Sequence, residues 1–216
     1  DQNPNLPTSY RPIGIISVVR KLFEKILLNR LEYSLEKFNK LSPFQFGFRK
    51  SKSIYHNLFN LSCHAYKSMG EKLFMPTIFL DISNAYNNVN YSILFDKLVS
   101  TGINMDLAKI IFNLITNNKI FISYNFKTWG PRLIPKGLTQ GGILSPLLYL
   151  IYSADLHRNL TFPRISEFAD DVVIFTSNLK LDRAIEDITH DFYTTYNNIC
   201  DLGLDLSLHK IKVMIF

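Results

Sequence analysis

Two adjacent aspartates, Asp170 and Asp171, interrupt a run that is otherwise apolar from Phe168 to Phe175. Aspartate is a poor strand residue and neighbouring carboxylates repel, so the run is not one continuous strand. It reads as two short strands, Ile165 to Phe168 and Val172 to Thr176, with Ala169-Asp170-Asp171 at the turn. A second run, Thr77-Ile78-Phe79-Leu80, is opened by Pro76 and ends at Asp81. That is the pattern of a buried strand delivering a carboxylate at its end. Taken alone, the paired aspartates are solvated turn residues. With Asp81 beside them on one sheet, they become three carboxylates whose repulsion a divalent cation would offset.

The remaining periodicity is largely helical. Ser17 is a candidate N-cap for a helix whose apolar positions are Val18, Val19, Leu22, Phe23, Ile26, Leu27 and Leu31. A second helix is expected from about Ser53 to Ser68, with Ile54, Leu58, Leu61 and Ala65 on one face. Two more follow near Ser92 to Ser100 and Met105 to Asn117, divided at Gly102. Lys119 to Tyr124 and Arg132 to Pro135 read as a hairpin. Ser145-Pro146 reads as a cap with proline at the first helical position, the helix continuing through Leu147 to Leu156. Leu181 to Cys200 is a helix ended by Gly203, and Val213 to Phe216 a last strand. No repeat or low-complexity linker divides the chain. The order from residue 76 onward predicts an α+β fold, an antiparallel sheet backed by helices.

Composition narrows the function classes. Of 216 residues, 47% are hydrophobic and 19% charged, which excludes disorder. No apolar run reaches the roughly 18 residues of a membrane span, so no membrane partner is expected. Cys63 and Cys200 lack metal or disulfide spacing, which points to a reducing, intracellular setting in nucleus or cytoplasm. The five histidines form no ligand spacing. A formal charge of +6 favours a polyanionic partner. With no initiator Met, the chain is expected to be a piece of a longer protein.

The motifs then fall into an order. FLDISNAYNNV resembles motif A of reverse transcriptases, GLTQGGILSPLLYLIYSADL motif B, and EFADDVVIF motif C. SYRPIGIISVVRKLFEKILLNRL and FQFGFRKSKS resemble the finger motifs of the non-long-terminal-repeat (LINE-type) retrotransposon branch. HKIKVMIF occupies the place of the motif that contains a catalytic-site lysine. The resemblance runs from about Ser9 to Phe216. It implies the fingers (about 1–75) and palm (about 76–216, with a fingers contribution between motifs A and B) of a right-hand polymerase, the thumb being absent from residues 1–216.

That resemblance also implies roles. Asp81 and Asp170 are the principal metal ligands, with Asp171 close by and the Ile82 carbonyl as a further contact; the metal is two Mg2+ ions, with Mn2+ as the alternative. Tyr86 falls at the steric-gate position, where a ring would exclude a ribose 2′-OH; without the resemblance it reads as a core tyrosine. Gln140 and Gly141 match the pair that approaches nucleotide and template, and glycine permits that approach. Arg11 and Arg49 are candidates for gripping the triphosphate, or else ordinary surface arginines. Lys210 matches the lysine that protonates departing pyrophosphate. The implied activity is RNA-directed DNA polymerisation, with an RNA template, a DNA primer and dNTP as partners. The rest of a parent polyprotein, with endonuclease and thumb, is expected to accompany it. Asn87, Phe168, Ser207 and Ile211 depart from the family pattern without removing a metal ligand. The competing readings are an RNA-directed RNA polymerase and a catalytically silent nucleic-acid-binding relic.

Overall fold

The computed structural model describes residues 13–161 and 164–216. The expected extended lead-in over residues 1–12 lies outside them, and so does Arg11.

Helix α1 (Val18–Lys37) starts at the expected cap. Ser17 is extended, and its hydroxyl accepts a hydrogen bond from the Arg20 amide at 3.3 Å. Its buried positions, however, are Glu24, Leu27, Leu31 and Leu35. Val18, Val19 and Leu22 of the apolar stripe are 64–81% exposed, because the first turns meet no covering element among the described residues. Helix α2 (Ile54–Gly70) behaves similarly: Ala65 is buried, while Ile54 and Leu58 stay exposed.

Strand β1 (Pro76–Asp81) leads through a 3-10 turn (Ala85–Asn88) into helices α3 (Tyr91–Ser100) and α4 (Met105–Thr116). Asn90 and Asn104 cap these two, each accepting two backbone N–H groups. Gly102, at φ +80°, makes the break between them. Strands β2 (Lys119–Tyr124) and β3 (Lys127–Leu133) form an exposed two-stranded ribbon. Here β3 begins earlier than the sequence suggests. Asn125 and Phe126 both take positive φ, 47° and 60°, so a two-residue hairpin turn forms without the glycine that usually announces one.

Helix α5 (Ser145–Tyr152) is buried at every position except Pro146. It is shorter than expected, ending at Ser153 as its C-cap (φ −91°, ψ 7°), whose amide and hydroxyl both donate to the Tyr149 carbonyl at 2.9 Å. Its cap residue is Leu144 rather than Ser145, whose hydroxyl donates instead to the Thr139 carbonyl. Strands β4 (Ile165–Phe168) and β5 (Asp171–Phe175), helix α6 (Leu181–Asp201) and strand β6 (Lys212–Ile215) complete the order.

The main sheet runs β4-β5-β1-β6, with every pairing antiparallel. Ile78 faces Ile174 and Leu80 faces Val172 across the β1–β5 ladder. These four join α5 residues and Ile188 and Ile199 of α6 in the main core. Val173 and Phe175 turn to the other face, against Leu61 and Ala65 of α2 and Met75. The alternation that fills both faces also fixes the register that ends at the aspartates.

Candidate active site

The β1–β5 register sets Asp81 directly opposite Asp171. Asp170 lies in the two-residue connection between the paired Phe168 and Asp171. The first residue of that connection, Ala169, has φ +58°, a conformation for which tight hairpins favour glycine. Burial raises the Asp171 carboxyl above its usual range, and the charges of Asp170 and Asp81 push it further the same way. The three carboxylates therefore share one neighbourhood.

Asp81 is held differently. Burial pulls its carboxyl upward, but a hydrogen bond from Ser207 and the Lys210 ammonium together bring it below its ordinary value. Lys210 Nζ lies 3.2 and 3.1 Å from the two Asp81 oxygens. The Ser207 amide donates to the Asp81 carbonyl at 2.8 Å, and buried Ile82 bridges to Leu206. Both Ser207 and Lys210 come from the turn that precedes β6, so the sheet brings them to β1.

These donors suit a divalent ion in kind. Carboxylate oxygens are its preferred ligands and the crowding at Asp171 is of the sort a cation relieves, whereas both Asp81 oxygens are engaged by Lys210, which an ion would have to displace. Among the described residues, no group of three or more acidic, imidazole or thiol side chains is placed so that it could hold a metal ion, the three aspartates included. The three aspartates match such an ion in ligand type alone.

Tyr86, in the 3-10 turn after β1, is half-buried and stacks on Tyr149, with centroids 5.1 Å apart and planes at 15°. Burial, and then the Asp170 charge, pushes both phenols above their usual range. The Tyr149 hydroxyl has no partner among the described residues.

The loop before α5 lies on the same turn. The Leu138 amide donates to the Tyr86 carbonyl at 2.7 Å, and the Gly137 amide to that of Val89 at 2.8 Å. A Cβ on Gly137 would stand 2.7 Å from the Asn87 carbonyl oxygen, and its φ is +96°. Gln140 donates through Nε2 to Asn87 Oδ1 at 3.4 Å, while its carbonyl accepts from the Gly14 amide at 2.7 Å. Gly141, at φ +99°, brings its backbone against Gly14. Buried Glu24 of α1 accepts from the Ile143 and Leu144 amides at 2.8 and 3.3 Å and pairs with Arg20. It therefore supplies the anion at the start of α5.

Arg49 is engaged within the protein. Its guanidinium meets both oxygens of Glu36 at 2.9 and 2.6 Å and the Ser42 carbonyl at 2.8 Å. That pairing holds the Glu36 carboxyl low. A grip on a triphosphate would require Glu36 to give it up.

The same segment reaches the aspartate turn. Gln45 pairs in parallel with Glu167, and the Phe46 amide donates to the Glu167 carbonyl at 2.8 Å. Glu167, 1% exposed, accepts from the Ser42 hydroxyl at 3.2 Å. Burial pushes its carboxyl up to about 8 against the pull of Ser42 and Lys52. Gln45, Glu167, Glu24 and Tyr149 carry no sequence signal of their own, since each owes its place to partners far away in the chain.

The sequence matches the family described as Reverse transcriptase (RNA-dependent DNA polymerase) over residues 2–215. It is 27% identical over 179 residues to a probable RNA-directed DNA polymerase from transposon BS of Drosophila melanogaster, covering 80% of this chain and 20% of that protein. It is 27% identical over 177 residues to the RNA-directed DNA polymerase from mobile element jockey of Drosophila funebris, covering 79% and 19%. The chain thus spans about a fifth of the length of these relatives. Telomerase from Candida tropicalis, in complex with a fragment of telomeric RNA, superimposes with a TM-score of 0.64 at 11% identity, over 93% of this chain and 34% of that one. A truncated apo form of the same telomerase gives 0.65 at 12% identity, over 89% and 40%.

Proposed function

The chain belongs to the reverse transcriptase family and has the right-hand polymerase fold, and from that premise we propose that it is the RNA-directed DNA polymerase domain of a LINE-type retrotransposon protein. The observation that carries the reading is the register that sets Asp81 opposite Asp171, with Asp170 in the adjoining turn. Residues to about 75 serve as fingers and those from about 76 mainly as palm, with a contribution to the fingers between motifs A and B.

Reverse transcriptases generally use divalent metal ions. Asp81 and Asp170 would hold them here, with Asp171 and the Ile82 carbonyl as further contacts. Mg2+ is the expected ion and Mn2+ its substitute. A bound cation would supply charge neutralisation at the transferring phosphoryl group. Around it, the chain's own residues perform the rest. The primer 3′-oxygen attacks the α-phosphorus of a dNTP paired to RNA, its proton leaves to solvent, and the bond to the β-phosphate oxygen breaks. Lys210 donates a proton to the departing pyrophosphate. Tyr86 packs where a 2′-OH would sit, held at its angle by Tyr149 beneath it. Gln140 and Gly141 present backbone to nucleotide and template. Arg11 and Arg49 are assigned to the triphosphate, Arg49 on exchange from Glu36.

The test is primer extension on an RNA template by the full-length parent protein, with dNTP and NTP compared. Metal-dependent dNTP incorporation that disappears in Asp170→Asn supports the proposal. Preference for NTP, or extension indifferent to Asp170, overturns it.

A further inference from the structure

One side chain outside the carboxylate set has all of its hydrogen-bonding capacity committed to the aspartate turn and its supports. Gln45 is 2% exposed. Its Oε1 accepts from the Ala169 amide at 2.9 Å and from the Gly47 amide at 2.8 Å. Its Nε2 donates to the Ala169 carbonyl at 3.2 Å and to Glu167 Oε2 at 3.4 Å. A carboxamide offers two acceptor sites and two N–H donors, and all four are used. The reversed amide would aim N–H groups at two backbone N–H groups, so the partners also fix its orientation.

Ala169 needs such a support. At φ +58° it holds a left-handed conformation that is strained for an alanine, and Asp170 follows it directly. Backbone rotation at Ala169 would swing Asp170 away from Asp81 and Asp171. Gly47 completes the seat: a Cβ there would fall 2.5 Å from the Ala169 nitrogen. The segment from Ser42 to Gly47 is thus shaped to the turn through both side chain and backbone.

We propose that Gln45 is a positioning residue for the polymerase reaction: its carboxamide clamps both backbone groups of Ala169 and so fixes Asp170 relative to Asp81. This rests on the polymerase reading above. Gln45 touches no reacting atom, and its effect passes through the turn.

The experiment uses the full-length parent protein in five forms: unaltered, Gln45→Leu, Gln45→Asn, Ala169→Gly and Gln45→Leu/Ala169→Gly. Gln45→Leu keeps the volume and removes the bonds, and Gln45→Asn keeps an amide too short to span both Ala169 groups. Three readouts are taken, namely primer-extension kinetics, thermal melting, and backbone amide exchange between Phe168 and Asp171. Both Gln45 variants are expected to lose about 100-fold in kcat, the scale of an ångström-sized misplacement, with KM for dNTP little changed. Their turn amides exchange about 10-fold faster or more while those of α6 keep their protection. Ala169→Gly, at ease with positive φ, restores about 10-fold of kcat in the Gln45→Leu background.

A merely structural glutamine would lower kcat only in step with thermal stability and would not be rescued at position 169; that result overturns the clamp. Unchanged amide exchange in Gln45→Leu also overturns it. Failure of the underlying reading looks different: the unaltered parent makes no Asp170-dependent product, while the turn amides still respond to Gln45→Leu.

Discussion

Lys210 Nζ straddles both carboxylate oxygens of Asp81, at 3.1 and 3.2 Å, from a turn that directly precedes the strand paired with β1. The pair is partly open to solvent, with side-chain exposures of 51% for Lys210 and 33% for Asp81. Screening limits such a pair to about 1 kcal/mol or less. Lys210→Met is therefore expected to change urea stability little. It should instead lower the extension rate, by roughly 10²-fold or more if Lys210 protonates pyrophosphate. The sign of the pH effect follows from Asp81, whose carboxyl Lys210 helps to hold low. Its stabilisation is present above the ordinary carboxylate range and is lost as pH falls through the depressed value. Without Lys210 that loss begins at higher pH, and the acid limb of the rate profile moves upward with it.

Glu167 titrates in the opposite sense. Its carboxyl is raised from 4.5 to about 8, so across that window the folded state holds a proton that the unfolded chain has released. Its contribution to stability then falls as pH rises from about 4.5 to about 8. Glu167→Gln removes this dependence. Melting temperatures of the two proteins measured between pH 5 and 8.5 should diverge, the variant gaining relative to the parent toward alkaline pH. Parallel curves would exclude a raised Glu167.

Gly137 combines positive φ with a backbone seat on Asn87. Gly137→Ala adds both a conformational cost and a clash, and is expected to destabilise by about 2 kcal/mol or more. Because the displaced loop carries Gln140 and Gly141, KM for dNTP should rise as well. Denaturant unfolding and steady-state kinetics on one preparation measure both effects.

Tyr86 and Tyr149 separate by their edges. Tyr86→Val is expected to raise ribonucleotide incorporation about 10-fold or more, because the ring that would meet the 2′-OH is gone. Tyr149→Phe keeps the stack and deletes a buried hydroxyl with no partner among the described residues. It should leave discrimination unchanged and stability equal or higher. Competition between dNTP and NTP, together with thermal melts, distinguishes the two outcomes.

Those strand ends and helix starts that were legible depend on neighbours in sequence. Pro76 before an apolar run, Ser17 before a helical period and glycine at residue 102 each act within a few residues. The same locality explains what the sequence left hidden. Val18, Val19 and Leu22 have core-like spacing, but whether a helix turn is covered depends on what lies opposite, and periodicity is blind to that. Arg49 reads as a phosphate ligand from its type and motif, and its bond to Glu36, thirteen residues earlier, lies outside that reading. Gln45 and Glu167 are polar residues buried against each other across 122 residues, and no window of sequence contains both. The three aspartates were readable because each ends or interrupts an apolar strand, whereas their mutual distance depended on strand order.

That order has a kinetic side. Asp81 finds Lys210 across 129 residues of chain, and the β1 strand that carries it must gain a neighbour on each edge. Closing loops of that size is costly before any contact rewards it, and folds rich in such pairings assemble slowly. A nascent or partly refolded chain can hold α1, α3 and the β2–β3 ribbon and still lack the site altogether. Appearance of the Asp81–Lys210 pair therefore requires the end of the chain to have reached β1, and it reports that long-range docking rather than the local order of the helices.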